Sequence, residues 1–260
     1  MQTLVDYSKI TEITHDLVSK EQVQRSCDRY YWAKGFCEGK TVLEVACGTG
    51  QGLGYLSKVA KRFVAGDFTW DILKVAKTYY GPRIDLFQFD AQFLPFADHS
   101  MDTIILFEAI YYVPNAELFI KECRRILRPK GKVLIATANK DLFDFNPSPH
   151  TYKYLGLLEL KGIFNQNGFL TEFFGNTAVG NLSSIQRWTR PLKQLAVKLD
   201  LMPKTAEGKK WLKRIIFGKP VNMPEEIKDG MSPLIKPTPL IDSKVDNEHK
   251  VIYCAATIIN

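Results

Sequence analysis

The segment VLEVACGTGQGLGYL, residues 42–56, holds the residues of this chain best placed to bind a small ligand. Glycines at 48, 50, 52 and 54 stand between an apolar run and a helical pattern, and they let the backbone approach a ligand closely. A helix amino terminus at that point favours electron-rich groups. A dinucleotide turn would need Gly-x-Gly-x-x-Gly, yet counting from Gly48 the third position is Leu53. Glu44 lies just upstream, where a pyrophosphate would be poorly served, so a nicotinamide site ranks second. Two more carboxylates, Asp67 and Asp90, close later apolar runs. The five cysteines form no C-x-x-C pair and the four histidines are scattered, so neither a disulfide framework nor a metal site is expected.

The elements that must position these residues follow from periodicity. Two helical segments open the chain, the second over 20–36, where Val23, Cys27, Tyr30, Tyr31 and Lys34 recur at helical spacing. Strand patterns at 41–45, 62–67, 84–90, 101–107 and 132–138 then alternate with helical runs near 52–60, 70–80 and 115–127. Unbroken apolar strands separated by helices imply a parallel sheet covered on both faces. This is a doubly wound α/β fold whose ligands lie at the carboxyl ends of its strands. A helix over 154–166 leads to a sixth strand at 169–174, and a seventh closes the chain at 249–259.

With 45% hydrophobic and 24% charged residues in 260, the chain has an ordinary globular composition, which excludes collagen-like and disordered classes. Its longest apolar stretch, 103–113, is broken by Glu108, too short to span a bilayer. The amino terminus lacks the pattern of a secretion signal, so a cytoplasmic location is expected. The net charge of +7 is concentrated: 187–219 carries ten basic residues against Asp200 and Glu207, and the rest is near neutral. One basic segment on a near-neutral body points to a localised anionic partner.

Taken together, the landmarks resemble the class I S-adenosylmethionine-dependent methyltransferases, in a small-molecule and glycan-pathway branch. The resemblance rests on EVACGTG (44–50), VAGD (64–67), FDA (89–91), LPF (94–96), SMD (100–102) and ILRPKG (126–131). It implies a Rossmann-like seven-stranded sheet with strand seven antiparallel, N-terminal helices over 1–39, and an insertion over 176–248 between strands six and seven. It also implies S-adenosyl-L-methionine as cofactor and S-adenosyl-L-homocysteine as product. Ala46, Gly48 and Gly50 would contact the methionine part, and Glu44 would place negative charge near its ammonium and sulfonium side. Asp67 would accept from the ribose hydroxyls, Phe68 would contact the adenine, and Asp90 with the Ala91 N–H would read its edge. Phe107 and Glu108 would border the transferable methyl. Arg29 and Tyr30 resemble an Arg-Tyr pair that covers the cofactor carboxylate in some relatives.

For the acceptor, FEAIYYVP (107–114) lacks the Asn/Asp-Pro-Pro-aromatic run typical of base-amine methylation, so nucleic acid loses weight. Tyr111 is a candidate to orient the acceptor. The FNPSPH loop (145–150) offers His150 as a candidate general base, its intrinsic pKa suiting proton abstraction near neutrality. The insertion contains an amphipathic basic run at 209–219, suited to capping the pocket or to peripheral contact with an anionic membrane surface. The resulting expectation is one domain, 1–260, methylating a hydroxyl of a sugar, glycan precursor or natural product, including phosphorylated or lipid-linked acceptors. RNA or protein acceptors docked by the insertion are the alternative, and a non-catalytic cofactor-binding module is a third reading.

Overall fold

The computed structural model describes residues 13–148, 150–181 and 219–259. In chain order the elements are β1 (Leu17–Val18), α1 (Lys20–Cys37), β2 (Thr41–Val45), α2 (Leu53–Ser57), β3 (Arg62–Asp67), α3 (Trp70–Tyr80), β4 (Asp85–Gln88), β5 (Met101–Phe107), α4 (Ala116–Ile126), β6 (Leu127–Ala138), α5 (Leu157–Gln166), β7 (Phe169–Ala178), β8 (Val221–Asn222), β9 (Thr238–Pro239) and β10 (His249–Ile258). The main sheet runs β4-β3-β2-β5-β6-β10-β7-β9. Pairs among β2 to β6 are parallel, whereas β10 lies antiparallel between β6 and β7. This is the Rossmann-like sheet with an antiparallel carboxyl-terminal strand, and β9 adds a two-residue edge beyond the seven strands read from the sequence.

Alternation along the strands divides the interior into two cores. On β5, Ile104 and Leu106 join the cluster under α4 and α5, while Ile105 and Phe107 join the one under α1, α2 and α3. A strand buried on both faces cannot alternate apolar with polar, which is why MDTIILF reads as a continuous apolar run. The amphipathic α4 shows the complementary logic: Phe119, Ile120, Cys123 and Ile126 are buried at helical spacing, and Asn115 caps it by accepting from the Glu117 and Leu118 N–H groups. Ser19 caps α1 through a reciprocal box with Gln22.

Several boundaries differ from the periodicity. Residues 17–18 form a strand, paired antiparallel with β8, and the first helical segment otherwise falls in 1–12, outside the described residues. β6 begins at Leu127 rather than 132, through a register shift opposite Met101–Thr103. β7 continues to Ala178 because β10 pairs with it as far as His249↔Ala178, so strand pairing takes the first residues assigned to the insertion. The basic stretch 187–219 and the amphipathic run 209–219 lie, apart from Lys219, outside the described residues.

The later part of that segment is described, and it forms a strap across α2. Glu226 is buried and meets Lys58 at 2.8 Å and Arg83 at 3.7 Å. The Ile227 N–H donates to the Gln51 carbonyl at 2.7 Å, and the Tyr55 hydroxyl donates to Asp229 at 2.8 Å. A Cβ at Gly54 would stand 2.3 Å from the Glu226 carboxyl carbon, so any larger residue here would displace the Glu226 carboxylate of the strap.

Candidate functional site

The carboxyl ends of β2, β3 and β5, with α1 above them, enclose a cavity of about 770 Å³. That size suits a cofactor together with a small ligand. Two backbone residues at its floor are held where a side chain is unfavourable: Ala46, after β2, has φ 55°, and Glu108, after β5, has φ 52°. Non-glycine residues in the left-handed region are uncommon and concentrate at functional sites. Gly48, with φ 59°, completes the turn.

The turn is held from behind by Tyr80, the last residue of α3. Its hydroxyl donates to the Gly50 carbonyl at 2.7 Å and accepts from the Gly54 N–H at 3.2 Å. A Cβ on Gly50, whose φ is 89°, would approach the Tyr80 ring to 2.9 Å. Gly50 therefore shapes the loop and is not part of the cavity lining.

Asp67 closes β3 and faces the cavity, with one carboxylate oxygen accepting from the Gly48 N–H at 2.9 Å and the other from the Thr69 N–H at 2.8 Å. Burial raises its pKa, and the backbone N–H groups of Thr69, Gly48 and Phe68 oppose that. With three backbone N–H groups on it, the carboxylate keeps one lone pair of its four for a ligand hydroxyl. Phe68, Asp90, Ala91 and Gln92 continue the wall, and Gln92 donates from its backbone to Asp90 at 2.8 Å.

Above Asp67, α1 turns Gln22, Arg25, Ser26 and Arg29 into the cavity at helical spacing. Arg29 stands 3.8 Å from Glu108. On the far side Tyr111 donates to Glu108 at 3.1 Å, stacks on Tyr154 at 4.3 Å, and has its pKa raised well above the usual value by burial and the Glu108 charge. The Tyr112 hydroxyl donates to Ser148 at 2.8 Å, and the Tyr152 N–H donates to the Tyr111 carbonyl at 2.9 Å. Ser148, Tyr152 and Met223 complete the lining.

A family model described as a methyltransferase domain matches residues 43–135. The chain is 31% identical over 140 residues to a probable S-adenosylmethionine-dependent methyltransferase of Mycolicibacterium smegmatis, covering 52% of this chain and 54% of the relative. It is 33% identical over 132 residues to a demethylmenaquinone methyltransferase of Renibacterium salmoninarum, covering 51% and 55%. It is 33% identical over 109 residues to a fatty-acid O-methyltransferase of Mycolicibacterium smegmatis, covering 41% and 40%. The first two matches span about half the length of those relatives. A solved S-adenosylmethionine-dependent methyltransferase from Thermotoga maritima shares the fold with a TM-score of 0.59 at 13% identity, over 92% of each chain. The chain carries a class I S-adenosylmethionine-dependent methyltransferase domain.

S-adenosylmethionine is the methyl donor of this family. The residues of this methyltransferase domain fit it: a fixed carboxylate at Asp67, an aromatic ring beside it at Phe68, an open glycine turn and a guanidinium at Arg29 face one cavity. Of the residues singled out from sequence, Arg29, Tyr30, Ala46, Gly48, Asp67, Phe68, Asp90, Ala91, Phe107, Glu108 and Tyr111 all line it.

Three expected site residues stand elsewhere in the methyltransferase fold. Gly50 supports the turn from behind. Glu44 is not in the lining: it points into the core of β2, where Tyr30 donates to it at 2.7 Å, and burial pushes its carboxyl up to about 7. His150 is exposed and outside the lining, with φ 62°, because the Tyr112–Ser148 bond and the Ser148 N–H to Tyr154 bond at 3.0 Å anchor the loop two residues earlier. The sequence reading missed Gln22, Arg25, Ser26, Ser148, Tyr152 and Met223. The α1 residues were legible as a polar stripe at three- and four-residue spacing, whereas nothing local marks Met223.

Proposed function

We propose that this chain transfers the donor's methyl group to a hydroxyl of a small-molecule acceptor. The observation carrying this reading is one continuous cavity joining the Asp67–Gly48 end to a wall formed by Tyr111, Tyr112, Ser148 and Tyr152. A cavity of this size accommodates the donor together with a compact acceptor group. Aromatic faces suit an apolar chain or the flat side of a ring, including a sugar or glycan precursor. The relatives named for fatty-acid and demethylmenaquinone methylation agree with acceptors of that kind.

When bound, S-adenosylmethionine supplies an already activated methyl group. What remains for the protein is alignment, exclusion of water and removal of the hydroxyl proton. Asp67 holds a ribose hydroxyl, Asp90 and Ala91 receive the adenine edge, and Arg29 takes the donor carboxylate. Phe107 and Tyr30 form an edge-to-face pair at 5.5 Å in the cavity lining. Glu108 is the proton acceptor in this reading, because it is the carboxylate placed between Arg29 and the tyrosine wall. Tyr111 positions Glu108 by its hydrogen bond and keeps its own proton. His150 drops out as the base because of where it stands.

The test is transfer of labelled methyl into a fractionated extract of the source cells. Label in polar small molecules or lipid-extractable material is the expected result. Label in RNA or protein would overturn the small-molecule reading, and donor binding without any transfer would leave a non-catalytic module.

A further inference from the structure

We propose that Arg25 is a specificity residue that grips an anionic group of the acceptor, a carboxylate or a phosphate remote from the methylated hydroxyl. This inference rests on the small-molecule methyltransferase reading and names its substrate class. Among the described residues, Arg25 and Arg29 are the two cationic side chains of the cavity lining, whose carboxylates are Asp67, Asp90 and Glu108. Each of those carboxylates is engaged: Asp67 by Gly48 and Thr69, Asp90 by Gln92, and Glu108 by Tyr111 and Arg29. None of them meets Arg25.

Arg25's own ion pair is weak. It approaches Glu21 at 3.9 Å, while Lys250 holds that same Glu21 oxygen at 2.6 Å. Its Nε is buried and, among the described residues, has no hydrogen-bond partner. That nitrogen is turned toward Glu21 and closed to the cavity, so a ligand would meet the terminal nitrogens of the guanidinium, a planar fork of donors that matches carboxylate and phosphate oxygens. Arg25 sits one helical turn before Arg29 on the same face, and its side chain is 32% exposed against 16% for Arg29. The deeper arginine borders the reacting end, which leaves the outer one for a group extending toward the mouth. Gln22, one turn further out, lines the same path.

The experiment compares wild type with Arg25→Gln and Arg25→Lys, supplying labelled S-adenosylmethionine and an extract of the source cells. S-adenosylhomocysteine affinity is measured on each protein by titration. The expected result is a labelled product retained on an anion exchanger, whose formation falls by at least about tenfold in Arg25→Gln and partly recovers in Arg25→Lys, with S-adenosylhomocysteine affinity unchanged. Release from the exchanger by phosphatase assigns the anion to phosphate; release only after amidation assigns it to carboxylate. A labelled product that is neutral would overturn the proposal, including the case in which the carboxylate itself is methylated. So would an undiminished rate in Arg25→Gln, or a parallel loss of S-adenosylhomocysteine affinity, which would move Arg25 to the donor site. Wild type that binds the donor yet labels nothing ends the methyltransferase reading itself, and the proposal with it.

Discussion

Tyr30 and Glu44 meet through a 2.7 Å hydrogen bond beneath the cavity floor, both side chains buried, and among the described residues the second Glu44 carboxylate oxygen has no partner. The bond ties α1 to β2 and lays the Tyr30 ring against Gly52, where a Cβ would come within 1.9 Å of it. Glu44 is thus a fastening under the site, and its protonation is coupled to folding.

Burial raises the Glu44 pKa in the folded state to about 7, above its usual value of 4.5. The folded protein therefore binds more protons than the unfolded chain between those values, and Glu44's contribution to stability falls as pH rises through that window. The lost stability is on the order of 3 kcal/mol. Glu44→Gln keeps an oxygen for Tyr30 and removes the ionisation. Urea unfolding should show the variant gaining on wild type between about pH 5 and about pH 8. Parallel pH profiles for the two proteins would contradict this account.

Gly52→Ala tests the same contact from the other side. The new methyl collides with the Tyr30 ring, whose hydroxyl is anchored, so the helix or the turn must shift. A loss of roughly 1–3 kcal/mol is expected from overpacking, together with weaker donor binding. Thermal unfolding and donor titration read the two effects separately, and an unaltered melting temperature would show that Tyr30 yields freely.

In the proposed site Asp67 holds the ribose of the donor. Asp67→Ala removes the ribose acceptor and frees the Gly48 and Thr69 N–H groups, so affinity for S-adenosylmethionine should fall by roughly 10- to 100-fold, as for hydrogen bonds to a charged group worth about 1.5–3 kcal/mol. Titration calorimetry measures it, and wild-type affinity would sink the assignment.

The inner sheet was legible because β2, β3, β5 and β6 are largely buried on both faces and carry mainly apolar residues, whereas the edge strand β4 exposes Asp85, Phe87 and Gln88. Asp67, Asp90 and Glu108 were legible by position: Asp67 ends β3, Asp90 stands just past the edge strand β4, and Glu108 follows β5. Glu44 was misread because it stands within β2, buried on both faces, and linear sequence does not say which face its side chain takes. Tyr30 reaching it from α1 decides that, across fourteen residues of chain. His150 failed differently. Its loop looked correctly placed, but the Ser148 anchors set which loop residues turn inward. Met223 arrives from a strap held by buried Glu226 and the Ile227 N–H, a long-range docking with no local periodicity.

The placement of Glu108 and His150 separates two accounts of proton removal. Glu108→Gln preserves the left-handed backbone position and an acceptor for Tyr111 but cannot take a proton at neutral pH. Its turnover number should drop by about 100-fold or more, the usual scale for a lost general base, with donor affinity nearly unchanged. Tyr111→Phe removes only the positioning bond and should cost less. His150→Ala should retain the wild-type rate, since the imidazole is exposed and outside the cavity. Steady-state rates for the three variants, measured at saturating donor, give the ranking. If His150→Ala were slow and Glu108→Gln fast, the base would lie on the 145–150 loop after all, and that loop would have to turn inward when the acceptor binds.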